Sequence, residues 1–355
     1  MSPRPDPAAG GGSARAAAPG RAAATARAAA APAHDGPLLD VRGLTVEYAT
    51  ARGSALAVDR VGFTLDRGEF LGIVGESGCG KSTLLFGIAQ LLSPPASTTA
   101  GSVLFKGRDL VGMTDRQLAD VRWSELSVVM QSAMNALNPV TTIGAQFRDV
   151  LRAHSFDTDI GTRSREVMEL VGVDPVHLDS YPHQLSGGMR QRAMIAMALL
   201  FTPDLVIMDE PTSALDVVAQ RSLMVQIKQL QRELGFAIIF VTHDMSLVSH
   251  FSDRLIVMYG GQIAELGATR TVFDTPRHPY SKGLLDAFPS IHGPRVPLLG
   301  IPGSPPDLAD LPTGCRFAAR CPQAMPSCAA TAPELYQVEQ VRVRCLLHAH
   351  EEVTA

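Results

Sequence analysis

The stretch FLGIVGESGCGKST, residues 70 to 83, follows a continuous apolar run with three glycines, a lysine and two hydroxyl residues. That order fits G-x-x-x-x-G-K-[ST] between a strand and a helix, the pattern of a phosphate-binding loop. Gly75, Gly78 and Gly80 let successive backbone N–H groups converge on phosphate oxygens, and the helix N-terminus adds partial positive charge. Glu76, Ser77 and Cys79 fill the loop. Lys81 is placed for β- and γ-phosphates, and Ser82, followed by Thr83, for offering a hydroxyl to Mg²⁺. Downstream, LVIMDEP (residues 205 to 211) ends an apolar run in two carboxylates. Asp209 can hold Mg²⁺ through its water shell, and Glu210 can polarise an attacking water as general base. Asp-Glu after a strand is weak evidence alone, because acids often cap helices. Together with the glycine-rich loop it marks a nucleotide hydrolase that uses Mg²⁺.

A second constellation lies near the end of the chain. GCRFAARCPQAMPSC, residues 314 to 328, holds Cys315, Cys321 and Cys328, and Cys345 follows. The spacing C-x5-C-x6-C-x16-C differs from the C-x2-C pairs that usually build zinc sites. Four thiolates suit an iron–sulfur cluster in number and softness. Zinc, or free thiols or disulfides, are the alternatives.

These residues need elements to position them. From Leu38 to about Gly267, short apolar runs alternate with helical stretches, and FLGIV (70 to 74), LVIM (205 to 208) and AIIFV (237 to 241) have the character of strands buried on both faces. This is a parallel α/β pattern. Leu223, Ile227, Leu230 and Leu234 form one apolar stripe on a crossover helix. Residues 141 to 185 interrupt the rhythm with a polar, mostly helical insert. Beyond Gly267, a short helical pattern runs through Phe288, and then a connector dense in Pro and Gly, expected to carry little regular structure, leads to the cysteines.

Composition bounds the function. The 355 residues, 46% hydrophobic, accommodate one large domain and a smaller appendage. A net charge of −4 lacks the basic footprint of a nucleic-acid binder. No run of eighteen or more uncharged apolar residues occurs, so no membrane span is expected. Residues 1–36, rich in Ala, Pro, Gly and Arg, have no continuous apolar core and are expected to be a disordered tail rather than a signal peptide, with an organellar transit peptide as the alternative. The compartment expected is the cytosol.

LSGGMRQR, residues 185 to 192, resembles the signature sequence of the ATP-binding-cassette (ABC) ATPases and lies between the two nucleotide motifs, as that family requires. The resemblance implies a P-loop ABC-type α/β fold over residues 37–270, with a RecA-like parallel sheet core, an antiparallel β subdomain and a helical subdomain at about 132–200. It implies that two cassettes pair head to tail, so that Ser186, Gly187, Gly188 and Gln191 face ATP held by the partner cassette. By the same resemblance Tyr48 stacks on adenine, Gln131 senses Mg²⁺ and water, Asp216 bridges the cassettes, and His243 contacts the γ-phosphate. Cys79 is unusual inside a phosphate loop. It is read as a tolerated small side chain, the alternative being a redox switch with a thiol pKa lowered by the helix N-terminus and Lys81.

HPYSKGLLDAFP (278 to 289), then GSPPDL and GCRFAARC, resembles the C-terminal extension of the importer ATPases for oligopeptides and dipeptides and of their nickel-carrying relatives; SAMNALNP (132 to 139) resembles the same branch. This implies an extension over residues 271–355 whose Cys315, Cys321, Cys328 and Cys345 match the positions that hold a [4Fe–4S] cluster there. It further implies an ATPase peripheral to the cytoplasmic face of the inner membrane. Its partners would be a second, related cassette and two permease subunits, with an extracytoplasmic peptide-binding protein indirectly and no nucleic acid. A nickel or other small-solute importer, and a soluble ABC ATPase outside transport, are the alternatives.

Overall fold

The computed structural model describes residues 35–51, 53–131, 136–156, 159–213, 215–287 and 300–349. The tail reading, apart from its last two residues, therefore lies outside the described residues, as do residues 132–135 and the first part of the connector.

Two sheets form. The smaller joins β1 (Leu39–Thr50), β2 (Gly53–Leu65), β4 (Ala96–Phe105) and β5 (Arg108–Asp109) in antiparallel order β2-β1-β4-β5. The larger joins β3 (Phe70–Val74), β6 (Leu126–Val129), β7 (Leu205–Asp209), β8 (Ala237–Val241), β9 (Arg254–Tyr259), β10 (Gln262–Ala268), β11 (Tyr336–Val338) and β12 (Val341–Val343) in order β11-β12-β10-β9-β3-β8-β7-β6. Pairing is parallel from β9 through β3, β8 and β7 to β6, and antiparallel from β9 outward to β11. The fold is α/β.

Every residue of β3, β7 and β8 is buried, as their apolar runs predict. Successive side chains point to opposite faces, so Phe70, Met208 and Phe240 join one core while Leu71, Ile207 and Ile239 join the other. Helix α1 (Lys81–Ile88) packs Leu84, Leu85 and Ile88 into the second core, between the larger sheet and the inward faces of β1 and β4. The helical insert holds α3 (Ile143–Ala153) and α4 (Ile160–Leu170), after α2 (Asp115–Val121). α5 (Gly187–Ala198) follows the insert, and α6 (Val217–Leu234) buries Leu223, Ile227 and Leu230 against the first core. Beyond β8 come α7 (Met245–Phe251), α8 (Thr269–Asp274) and α9 (Pro279–Asp286).

The described part of the connector, residues 300–314, carries no helix or strand, as its Pro and Gly content predicts, and regular structure resumes beyond it. After α10 (Pro326–Ala330), the hairpin β11–β12 extends the larger sheet at β10, with Glu265 opposite Val343. Val338, Val341 and Val343 are buried there, and Phe317 enters the main core. The extension is thus built onto the cassette's own sheet.

Candidate functional site

β3 delivers the chain into the glycine-rich loop and α1 carries it away. At Gly75, φ is +152°, and a Cβ would stand 2.3 Å from the Met258 carbonyl oxygen; at Gly80, φ is +99° and a Cβ would stand 2.1 Å from that of Ala57. Only glycine fits such close approach. Lys81 is buried at the centre of the curl, and its Nζ donates to the carbonyls of Gly75 (2.8 Å) and Glu76 (2.9 Å). The loop opens on a cleft of about 570 Å³ lined by Gly75, Ser77, Gly78, Gly80 and Lys81 to Thr83. Tyr48 also lines it, its hydroxyl 3.1 Å from Thr83 Oγ1. Glu76 and Cys79 belong to the loop but not to the wall of the cleft.

Gln131, Glu210 and His243 reach the same cleft from the ends of β6, β7 and β8. Gln131 Nε2 donates to Glu210 Oε2 at 3.0 Å, and His243 Nδ1 lies 3.3 Å from Glu210 Oε1. Glu210 adopts φ +45°, a left-handed conformation that a non-glycine residue holds only where its surroundings impose it. Its backbone N–H donates to the Val241 carbonyl at 2.9 Å, which pins it at the carboxyl end of β7. Asp209 is buried beneath. Burial raises its carboxyl above the usual range, with a Ser82 hydrogen bond and the Lys81 charge acting the other way. Its Oδ1 has no hydrogen-bond partner. With the Ser82 hydroxyl it forms an all-oxygen set that fits a hard cation such as Mg²⁺.

Ser186, Gly187, Gly188, Gln191 and Asp216 stand outside this cleft. Ser186 caps α5, its Oγ accepting from Met189 N at 3.3 Å, and Gln191 is buried one turn on. Asp216 caps α6 through Ala219 N at 2.9 Å, beside Val217 and Val218, which are 78% and 80% exposed. One chain therefore brings together the phosphate loop, the carboxylates, Gln131 and His243, and leaves the signature turn out of the cleft's lining.

Cys79 is a buried small side chain, and its surroundings bear on the redox alternative. Burial raises its thiol above the ordinary value although Lys81 Nζ lies 3.7 Å away, so the lowered pKa that a redox switch requires is absent. The tolerated small side chain stands.

Sequence reasoning missed four residues of the C-terminal part. Leu308 lines the cleft, and its carbonyl accepts from Leu56 N at 2.9 Å. Tyr280, fully buried, accepts from Glu76 N at 2.9 Å. Arg320 forms a two-pronged pair with Glu76 at 2.6 and 2.8 Å, and Arg316 pairs with Asp59 at 2.5 Å. The signal available for Tyr280 was the His-Pro-Tyr motif itself. His278 caps α9 by accepting from Tyr280 N at 2.9 Å, and burial pushes its pKa down to about 4, so it stays neutral.

Cys315, Cys321, Cys328 and Cys345 do not form the iron–sulfur site expected of them. Among the described residues, no group of three or more His, Cys, Asp or Glu side chains is arranged to hold a metal ion. All four are free thiols. Cys315 and Cys321 pack against the main apolar core, while Cys345 clusters with Val338 and Val343. Cys321 and Cys328 sulfurs accept from backbone N–H groups of their own turns, Gln323 and Met325, each at 3.4 Å. Burial raises the thiols of Cys315 and Cys321 and pushes Cys345 up to about 11, so these side chains are neutral near pH 7. They fill space as small hydrophobes, and the [4Fe–4S] and zinc expectations are withdrawn.

Comparison with known proteins identifies the family. The ABC transporter family model matches residues 58–213, and that of the oligopeptide/dipeptide transporter C-terminal region matches residues 264–328. A dimeric ATP-binding cassette solved in a post-hydrolysis state with ADP and phosphate superimposes with a TM-score of 0.59 at 27% identity, covering 65% of this chain and 99% of that one. Fold and motifs thus define an ABC-type ATPase. The dipeptide transport ATP-binding protein DppD of Bacillus subtilis is 43% identical over 301 residues, 83% of this chain and 90% of its own length. The oligopeptide transport ATP-binding protein OppD of Salmonella typhimurium is 42% identical over 320 residues, 89% and 95% of the two chains. The chain belongs to the ABC transporter ATP-binding proteins, in the branch that carries the oligopeptide/dipeptide transporter C-terminal region.

Proposed function

We propose that this chain is the ATP-hydrolysing subunit of an importer that energises uptake of di- and oligopeptides through separate permease subunits. The observation that carries this reading is identity of 42–43% with peptide-transport ATP-binding proteins across both the cassette and the C-terminal region. Among the described residues no helix is long and apolar enough to cross a membrane, so translocation needs other subunits. In this reading the chain sits at the cytoplasmic face of the membrane, bound to two permease subunits that receive substrate from an extracytoplasmic peptide-binding protein. A second, related cassette would cover Asp216 and the exposed Val217 and Val218, burying apolar surface that one chain leaves in water.

The proposal gives each residue of the site a role. Backbone N–H groups of the loop and Lys81 bind the phosphates, and Tyr48 stacks on the base. Ser82 and Asp209 would hold Mg²⁺, with Gln131 beside it; the ion, when bound, supplies positive charge to the phosphate oxygens. Glu210 takes a proton from the attacking water, held in place by Gln131 and by His243, which also reaches the γ-phosphate. Ser186, Gly187, Gly188 and Gln191 complete the partner's site.

The test is ATP hydrolysis by the assembled importer in vesicles, with peptides or nickel complexes supplied together with the binding protein. Stimulation by peptides supports this reading. Stimulation by nickel complexes alone moves the substrate to a metal chelate, and stimulation by neither removes the importer assignment.

A further inference from the structure

Glu76 is an unexpected residue to find in a loop that receives phosphates. Its carboxylate is one-quarter exposed and carries the same sign of charge as a nucleotide. Two contacts hold its backbone next to the cleft: its carbonyl accepts from Lys81 Nζ, and its N–H donates to the Tyr280 hydroxyl. An unpaired carboxylate there would repel the ligand and compete for Lys81.

Arg320 removes that conflict. Its side chain is 5% exposed, and both terminal nitrogens meet the two Glu76 oxygens. The guanidinium is itself fixed by the Pro302 carbonyl at 2.7 Å, the Tyr259 hydroxyl at 3.2 Å and the Tyr259 ring at 5.7 Å. A planar guanidinium satisfied on every side is a rigid support. The segment that supplies Pro302 continues to Leu308 in the cleft wall. Four residues before Arg320, Arg316 holds Asp59 and the Gly260 carbonyl, and Gly261 N–H donates to the carbonyl of Cys79 at 3.0 Å.

We propose that Arg320 is a positioning residue of the nucleotide site: by neutralising and orienting Glu76 it sets the shape and charge of the phosphate loop, which makes the C-terminal extension a working part of ATP binding. This inference rests on the phosphate-loop roles proposed above. It predicts a pattern that a merely structural pair would not produce. Removing Arg320 alone exposes the nucleotide to an uncompensated carboxylate, whereas removing both charges relieves the repulsion.

The experiment uses the full-length chain, with MgATP affinity measured by calorimetry and KM and kcat by phosphate release. Arg320→Ala should weaken MgATP binding about tenfold, less so at high salt, and raise KM more than it lowers kcat. Arg320→Ala/Glu76→Gln should recover to within about threefold of wild type, because the carboxylate is gone. Arg320→Lys, which keeps the charge but loses the fork, should fall between. Unchanged affinity in Arg320→Ala, or a double variant no tighter than the single one, overturns the proposal. If Arg320→Ala does not fold, Arg320→Lys decides: affinity and salt dependence equal to wild type overturn it. Lys81→Ala separates the two levels. If that variant binds MgATP like wild type, the phosphate-loop assignment fails; if it loses binding while the Arg320 series stays flat, only this inference fails.

Discussion

Substituting Glu210→Gln isolates proton abstraction from everything else the residue does. The carboxylate makes two polar contacts, with Gln131 Nε2 at 3.0 Å and with His243 Nδ1 at 3.3 Å. A glutamine can keep both: its carbonyl oxygen accepts from Gln131, and its NH₂ faces a histidine nitrogen that accepts in the tautomer protonated on Nε2. Neither shape nor the left-handed backbone at φ +45° changes. What is lost is the group that takes a proton, worth about 10²- to 10⁴-fold for general base catalysis, or roughly 3 to 5 kcal/mol of barrier. Steady-state phosphate release should fall by that factor, while MgATP binding and ATP-dependent dimerisation persist. Turnover within about threefold of wild type would refute the role of Glu210. Loss of binding in parallel with turnover would show that the residue shapes the cleft instead of the chemistry.

Three further outcomes follow from the buried groups. Tyr280→Phe removes the partner of the part-buried Glu76 N–H, so urea unfolding should register a loss of about 1 to 3 kcal/mol; no measurable loss would mean water replaces the hydroxyl. His278 has a folded pKa pushed down to about 4 by burial, so its contribution to stability is complete above its ordinary value near 6.5 and is lost as pH falls toward 4, about 3 kcal/mol in all. His278→Asn, which can still cap α9, should flatten that part of the stability–pH profile, and an unchanged slope would exonerate the histidine. Cys79, its thiol raised by burial, should be alkylated at pH 7.5 at least about tenfold more slowly in the native chain than after unfolding; rapid native labelling blocked by ATP would restore the redox reading.

The chemistry of the phosphate loop is written in consecutive residues, because its donors are neighbouring backbone N–H groups and its glycines are demanded by local close approach. The same holds for β3, β7 and β8, whose unbroken apolar runs admit only a doubly covered strand, and for Ser186, whose helix cap is a contact over three residues. Family pattern, and with it ATP hydrolysis, could therefore be named from these stretches alone. Contacts across the fold could not. Arg320 and Glu76 are 244 positions apart, and nothing near either residue announces the other. The hairpin β11–β12 has strands of three residues, too short for any periodicity, and forms because β10 offers an open edge. The cysteines are the clearest case. Their number and proximity along the chain implied a shared ligand, but among the described residues no group of three or more His, Cys, Asp or Glu is arranged to hold a metal ion, and Cys315, Cys321 and Cys345 pack against apolar side chains. Spacing in sequence constrains what a segment can reach; the cost of leaving apolar surface and paired charges in water, summed over the whole molecule, decides what it does reach.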